Sequence, residues 1–304
     1  MNGVNFVVTG DDINTDSAII ISNHKSLVDF IAMAYLARYT NDILNNEENE
    51  KSFKNLTLPR INFFTWFKLW RIPSIRVLIN LAKCDENWEL ENSLSKIVFG
   101  KILKSKVPEW IVLFPEVNIW TEEDFSLQKA QGEKFYLPTL QNILYPRFSA
   151  FYNVISTLNS KEHSKFNQLY DVSVLYESKS IESKTPTNKP PKDESNAVSS
   201  SETPQDKVVN LVSPNLLEIF SSDNPITIHI HVKSKRLLRV PTKRSKIEKW
   251  LENTWVEKDK FLDQWKTDLS KAATFSINNG KTPQNSPPLI KTGVFRLGSI
   301  KSSI

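Results

Sequence analysis

Cysteine is almost missing from this sequence, because Cys84 is the only one among 304 residues. An internal disulfide is therefore excluded, and a lone thiol is typical of a reducing compartment or a surface that faces the cytosol. Long uncharged apolar runs are missing too. The nearest approach, residues 61–81, is interrupted by Lys68, Arg71 and Arg76, whereas a membrane-spanning helix needs about 20 consecutive apolar residues. The sequence therefore gives no clear transmembrane helix.

The opening of the chain also lacks the features of a secretory signal peptide, since residues 1–12 contain neither a basic segment nor a long apolar run. We expect them to include the first strand of a folded domain. With 304 residues and 39% hydrophobic content, the chain can form one sizeable core. Its net charge of +5 favours an anionic partner, such as a phospholipid surface or a phosphorylated substrate. Nucleic acid is not expected, because no motif that reads it is recognisable.

Strands and helices alternate along the sequence. Runs of β-branched and aliphatic residues predict strands at 4–8, 17–21, 109–114, 170–176 and 226–232. Helices are predicted at 29–39 and 126–137, and a long amphipathic helix from Thr242 onward, in which Lys258 interrupts the apolar stripe. We therefore expect an α/β fold with a mostly parallel or mixed central sheet flanked by helices.

Three segments lack the pattern of a packed element. Residues 41–54 are acidic and Asn-rich, which indicates an exposed connection. Residues from 177 to about 210 are rich in Ser, Lys and Pro and poor in large apolar side chains, so we predict a disordered insertion within one domain of residues 1–270. Residues 271–304 contain no acidic residue, and we expect a basic, flexible tail there.

Aromatic residues alternate with basic ones in the segment 58–83. Two interpretations stay open for it: a buried core, or a platform on a membrane surface. We favour the platform, because aromatic rings suit the headgroup level of a bilayer while Lys and Arg meet lipid phosphates.

A histidine followed by a carboxylate marks the end of the second predicted strand, in the motif Asn23-His24-x-x-x-x-Asp29. An imidazole of ordinary pKa, about 6.5, is mostly neutral at cytosolic pH and can act as a general base, which a nearby carboxylate can orient. Phe114-Pro115-Glu116 follows another predicted strand. We expect His24 and Glu116 to meet at the strand ends, where α/β sheets place their sites.

The two motifs resemble those of the glycerolipid acyltransferases, which include the lysophosphatidic acid, lysocardiolipin and lysophosphatidylinositol acyltransferases. Further counterparts are present at 9–11, 144–147, 170–173, 214–217 and 228–232. The resemblance thus covers about residues 4–265 apart from the insertion. It implies a diverged member of the family, with a glycerol-3-phosphate acyltransferase-like fold, and the Asn-rich composition suits a fungal source.

The resemblance implies transfer of a fatty acyl group from acyl-CoA to the hydroxyl of a lysophospholipid. His24 would be the base and Asp29 its partner, while Glu116 and Arg147 would hold the acceptor. The rest of the predicted substrate-binding set is Asn23, Phe114 and Pro115. Because the thioester already carries the activation, no metal and no cofactor are expected beyond acyl-CoA as co-substrate.

The sequence departs from the family pattern in two places. Glycine, usually followed by threonine, is expected after Glu116, where this chain has Val117 and Asn118. Glycine allows a close approach or an unusual dihedral angle, to which a β-branched residue is poorly suited. Asp85 and Glu86 stand where relatives tend to carry a basic residue, so phosphate recognition is either weakened or shifted to the neighbouring Lys83.

These departures leave two alternatives to the acyl-CoA reaction: a lipid-binding member with impaired catalysis, and a tafazzin-like transacylase that takes its acyl group from a phospholipid. Relatives usually carry hydrophobic anchors before the first motif, and this chain has none there. We expect a membrane-associated protein, at the endoplasmic reticulum with its site facing the cytosol, or alternatively at mitochondria. His229 and His231 share one face of a strand, but no third ligand accompanies them, which favours structural roles.

Overall fold

The computed structural model describes residues 4–47, 58–64, 99–158, 165–180, 208–215, 218–219, 226–279 and 293–295. Its strands are β1 (Val4–Gly10), β2 (Ala18–Ser22), β3 (Arg60–Phe64), β4 (Glu109–Leu113), β5 (Gln168–Ser180), β6 (Val208–Asn210), β7 (Ile226–Arg236) and β8 (Gly293–Phe295). Its longer helices are α1 (Asp29–Glu47), α2 (Glu122–Phe135), α3 (Phe148–Leu158) and α4 (Arg244–Asn279). Residues 99–104 are also helical.

All eight strands belong to one mixed sheet in the order β3-β4-β2-β5-β7-β1-β8, and β6 pairs with β5. Strands β3, β4, β2 and β5 run parallel, as do β1 and β7, whereas β5 and β7 are antiparallel. The predicted α/β fold is confirmed, and the sheet is of the mixed kind.

The two central strands are buried on both faces, which explains why their sequences are continuous apolar runs instead of alternating ones. Every residue of β2 and of β4 is buried. Ile19 and Ile21 face a core that includes α3 and α4, while Ile20 faces the core beneath α1. This sandwiching fixes the register of β2, and with it the position at which the chain leaves the sheet.

Helix boundaries differ from the sequence-based ones where capping decides them. Helix α2 begins at Glu122, earlier than the predicted residue 126, because Thr121 accepts a hydrogen bond from the Asp124 backbone N–H at 3.1 Å and three acidic residues follow in the first turn. Helix α1 continues to Glu47, so residues 41–47 of the predicted exposed connection are helical. The rest of that connection lies outside the described residues.

Two predicted irregular segments contribute to the sheet. Strand β5 extends to Ser180 and pairs antiparallel with β6, so both ends of the predicted insertion are strands. From the predicted tail, residues 271–279 continue α4, and β8 pairs with β1. The disorder predicted for the insertion concerns residues outside the described ranges and stays a prediction, as does flexibility of the tail.

Across the described ranges, no helix combines the length and hydropathy needed to cross a bilayer. Of the aromatic segment 58–83, only residues 58–64 are described. They form the edge strand β3, where the Phe63 ring meets the Phe30 ring edge-on, with centroids 4.9 Å apart. Residues 65–83, and with them the predicted membrane platform, lie outside the described residues.

Candidate active site

Asn23 fixes the chain at the point where β2 ends. Its side-chain amide donates to the Val174 carbonyl at 2.9 Å, and its side-chain oxygen accepts from the Val174 N–H at 2.8 Å. The side chain thus continues the pairing between β2 and β5 beyond the last strand residue. This geometry gives Asn23 a positioning role, and its predicted contact with substrate stays a prediction.

His24 and Asp29 form a fully buried pair, with Nδ1 of the imidazole 2.9 Å from a carboxylate oxygen. A hydrogen bond to a carboxylate keeps the ring proton on Nδ1 and leaves the lone pair on Nε2. Among the described residues, nothing hydrogen-bonds to His24 Nε2. The arrangement therefore has the orientation that a general base requires.

The carboxylate of Asp29 is itself held by three donors. One oxygen accepts from the backbone N–H groups of Lys25 and Ser26, at 2.7 and 3.0 Å, and the other accepts from the Tyr176 hydroxyl at 2.5 Å. Asp29 also starts α1, where the helix dipole favours a negative charge. Burial and the neighbouring Asp29 raise the pKa of Tyr176, which therefore stays a donor.

Aromatic rings enclose the imidazole. The Phe114 ring stacks on His24, with centroids 4.4 Å apart and planes 25° from parallel, and Phe30 meets both rings edge-on. Phe114 thus keeps water from the imidazole and fixes its tilt. The structure shows a contact between Phe114 and His24, and the predicted contact of Phe114 with substrate stays a prediction.

Glu116 ties the second motif to the first. Its two carboxylate oxygens accept from the backbone N–H groups of His24 at 3.3 Å and Leu144 at 3.1 Å. The Trp120 N–H donates to the His24 carbonyl at 3.0 Å. Burial raises the pKa of Glu116 to about 8, although the positive charge of Lys25 opposes the shift. The predicted meeting of His24 and Glu116 is therefore present.

Pro115 and Arg147 meet through backbone, since the Arg147 N–H donates to the Pro115 carbonyl at 2.8 Å. The Arg147 side chain is exposed and lines a cavity of about 300 Å³ together with Glu116 and Asn118. The predicted roles of Glu116 and Arg147 in binding the acceptor stay predictions.

Comparison with known proteins finds similarity to acyltransferases. The family model described as "Acyltransferase C-terminus" matches residues 218–294. The chain is 22% identical over 267 residues to a probable 1-acyl-sn-glycerol-3-phosphate acyltransferase 5 of Arabidopsis thaliana, covering 87% of this chain and 58% of that protein. It is also 22% identical over 265 residues to lysocardiolipin acyltransferase 1 of Danio rerio, covering 86% and 56%. Over most of its length the chain is thus similar to acyltransferases of glycerolipids.

An uncharacterized acyltransferase of Schizosaccharomyces pombe is similar too, at 22% identity over 256 residues, with 83% of this chain and 61% of that protein covered. This match fits the expected fungal member. The chain spans a little over half the length of these curated relatives. No solved structure matches it.

Val117 carries the clearest departure from the glycerolipid acyltransferase pattern. Its φ is +70°, in the left-handed region that favours glycine. The Asn118 N–H donates to the Glu116 carbonyl at 2.8 Å, which makes Val117 the centre of a tight γ-turn. A β-branched residue in this conformation costs about 1–2 kcal/mol relative to an unstrained one. The glycine of the family pattern is thus explained by backbone geometry, and this chain carries strain next to Glu116.

The sequence marked Lys258 only as an interruption of an apolar stripe, but in the structure this residue forms a buried ion pair. It is buried, its Nζ lies 2.6 Å from an Asp171 carboxylate oxygen, and it donates to the Val172 carbonyl at 2.5 Å. Burial lowers the pKa of Lys258, while Asp171 opposes the shift. The interruption of the apolar stripe signalled an unusual residue, but its partner lies on β5, far away in sequence.

The motifs at 9–11 and 228–232 lie side by side, since β1 and β7 are parallel neighbours. Gly10 has φ +97°, and a Cβ there would lie 2.1 Å from the Val232 carbonyl oxygen, so only glycine fits. Thr9 Oγ1 lies 3.0 Å from His231 Nδ1, and His229 Nε2 lies 2.8 Å from a Glu177 carboxylate oxygen. Both histidines thus have partners suited to structural roles, and the described residues contain no group of three or more metal-binding side chains.

One predicted departure falls outside the described residues. Lys83, Asp85 and Glu86 belong to residues 65–98, so whether the phosphate-binding role shifts to Lys83 stays a prediction.

Proposed function

We propose that this protein transfers a fatty acyl group from acyl-CoA to the hydroxyl of a lysophospholipid. The observation that carries the proposal is the buried His24–Asp29 pair. The Nε2 atom of His24 makes no hydrogen bond to any described residue, so its lone pair is not engaged. The names of the relatives support an acceptor of this class, since the Arabidopsis protein is named for 1-acyl-sn-glycerol-3-phosphate and the zebrafish protein for lysocardiolipin.

In the proposed reaction, His24 Nε2 removes the proton from the acceptor hydroxyl as its oxygen attacks the thioester carbonyl. An O–C bond forms, the carbonyl becomes tetrahedral, and the C–S bond then breaks. The proton returns from Nε2 to the leaving thiolate, which departs as the free thiol of CoA. Asp29 keeps the imidazole oriented and stabilises its transient positive charge, which is the role of the carboxylate in such pairs.

The acceptor would lie against the surface formed by Glu116 and Arg147, where the guanidinium can meet a phosphate oxygen. Because both substrates carry long acyl chains, we extend the proposal to association of the protein with a membrane surface. Residues 58–83 would contact the membrane, and the membrane would be that of the endoplasmic reticulum.

A competing reading, a lipid-binding member without turnover, is favoured by one observation. The strained γ-turn at Val117 adjoins Glu116, so the acceptor-binding surface differs from that of the family pattern. Loss of turnover with intact lipid binding would be its consequence.

The test uses the full chain, labelled oleoyl-CoA and a panel of lysophospholipids, with His24→Ala as the inactive reference. The proposal predicts acylated product with at least one lysophospholipid and much less with the variant. If wild type forms no more product than His24→Ala, the interpretation as a lipid-binding member without turnover would stand. Product formed from a diacyl phospholipid without any CoA ester would replace the acyl-CoA reaction by transacylation.

A further inference from the structure

A second cavity, of about 470 Å³, is lined in part by residues of the His24 loop and shares no lining residue with the cavity at Glu116 and Arg147. Its titratable lining residues are Lys25, Lys266 and Tyr176, and none of its described lining residues is acidic. Most of the remaining wall is apolar: Leu27, Ile119, Trp120, Leu175, Leu211, Val212 and Pro214. Two cations beside an apolar wall are the complement of an anionic amphiphile.

Lys25 is buried, and no carboxylate among the described residues forms an ion pair with it. Its Nζ lies 4.1 Å from the centre of the Trp120 ring, a cation–π contact, while Glu116 and Asp29 act on it only at longer range. Burial lowers the pKa of Lys25 to about 8; repulsion by Lys266 contributes to this shift, while Glu116, Asp29 and Asp259 oppose it. A buried ammonium facing a second cation is unfavourable unless an anion joins them.

Lys266 brings the second charge from α4, through a side chain that is only partly buried. Burial lowers its pKa too, and Asp259 and Asp263 oppose that shift. Because Lys25 and Lys266 come from segments far apart in sequence, no local motif joins them. Only the packing of α4 against the sheet places both on one cavity.

The cavity also shares residues with the catalytic pair. Lys25 directly follows His24, and Tyr176, which lines the cavity, donates to Asp29 at 2.5 Å. A ligand held by Lys25 would therefore lie close to the catalytic pair, in a cavity whose lining does not include Arg147.

We propose that Lys25 and Lys266 form an anion subsite that binds a phosphate group of an amphiphilic substrate, with the hydrocarbon part of that substrate along the apolar wall. This inference rests on the proposed acyl transfer for its connection to catalysis. The shared chemistry is a phosphate oxygen between two ammonium groups, and its source is either the headgroup of a lysophospholipid or a phosphate of acyl-CoA.

Equilibrium binding to the full chain tests the subsite independently of turnover. The probes are labelled lysophosphatidic acid, oleoyl-CoA and uncharged monooleoylglycerol, each measured with wild type, Lys266→Met, Lys266→Arg and Lys25→Met. Lys260→Met serves as the matched control, because Lys260 is an exposed lysine on the same helix. Thermal melting of each variant shows that it is folded.

We expect Lys266→Met to weaken at least one phosphate-bearing probe by about tenfold, since a charge-assisted contact is lost, while Lys266→Arg retains most of the affinity. Monooleoylglycerol binding should be unchanged, and added salt should reduce the wild-type preference for the phosphate-bearing probes. Weakening of lysophosphatidic acid alone identifies the acceptor headgroup, and weakening of oleoyl-CoA alone identifies the donor.

Equal affinities of Lys266→Met and Lys260→Met for both phosphate-bearing probes would overturn the subsite. An equal loss for monooleoylglycerol would overturn it as well, because the lysines would then act through the shape of the cavity. Absence of acyl transfer by wild type, with the binding loss present, would reject the proposed function and leave the anion subsite standing.

Discussion

The two loops that meet at the site differ in how well their sequences suit their conformations. In the His24–Asp29 loop, Asn23 pairs with backbone and the Asp29 carboxylate has three donors. In the 114–120 loop, Glu116 accepts two longer hydrogen bonds, at 3.1 and 3.3 Å, and Val117 occupies a conformation that suits glycine. In the proposed reaction, proton transfer depends on the first loop and acceptor binding on the second, so the two functions can diverge separately.

The largest effect should come from breaking the better-formed loop. Asp29→Asn keeps the size of the side chain but removes its charge and presents an amide to the imidazole, which favours the wrong tautomer. We expect the rate constant of acyl transfer to fall by up to about 10⁴-fold, the effect seen when the carboxylate of a catalytic triad is made an amide. Steady-state assays check it, with Asp268→Asn, an exposed carboxylate, as control. A rate within twofold of wild type would remove Asp29 from the catalytic pair.

The buried ion pair behind the site gives the next effect. Lys258→Met removes the buried, closer partner of Asp171 and leaves only the partly exposed Lys235, at 3.7 Å, so the free energy of unfolding should fall by up to about 3–5 kcal/mol. Chemical denaturation measures it, beside the exposed Lys260→Met, for which about 0.5 kcal/mol or less is expected. A variant as stable as wild type would mean that Lys258 acts neither on β5 nor on the loops that β5 supports.

The pH dependence of stability separates Glu116 from the catalytic pair. Burial raises the pKa of Glu116 to about 8, well above its ordinary value of 4.5, so the folded state binds its proton more tightly than the unfolded chain does. This contribution to stability is complete below pH 4.5 and disappears as the pH rises through about 8. Denaturation of wild type between pH 5 and 8 should show falling stability, and Glu116→Gln should flatten that slope. Parallel curves for the two proteins would refute a buried, protonated Glu116.

The smallest effect is expected from a substitution that relieves the backbone strain at Val117. Val117→Gly removes the left-handed strain of about 1–2 kcal/mol, offset by about 0.5–1 kcal/mol of glycine entropy in the unfolded chain, so a net gain of about 0.5–1 kcal/mol is expected. Tyr136→Gly is the matched control, because Tyr136 also has a positive φ, +56°, but is 95% exposed at the end of α2. Both should raise the melting temperature, and only Val117→Gly should lower the KM for the acceptor. Loss of stability in Val117→Gly would show that Val117 is well accommodated.

Local patterns in the sequence predicted the local parts of the site. Strand endings, the spacing of His24 and Asp29, and the strand before Glu116 all follow from short stretches of chain. The partners that tune them do not, since Tyr176 lies 147 residues from Asp29 and Lys258 lies 86 residues from Val172. Such contacts depend on the strand order of the sheet and on how α4 packs against it. No periodicity within one segment carries that information.

Asn23 shows the same limit of local sequence patterns. The motif marked the residue, but it did not predict that its side chain pairs with the backbone of Val174. The start of α2 was missed for a different reason, because a cap at Thr121 extends the helix beyond its apolar stripe.

The rate of acyl transfer from labelled oleoyl-CoA to a lysophospholipid, compared between wild type and His24→Ala, tests the central claim most directly. A positioned general base contributes about 10²–10⁴-fold, so the variant should lose activity by that factor while it melts at a similar temperature and binds both substrates. Equal rates for wild type and a folded His24→Ala would contradict the account.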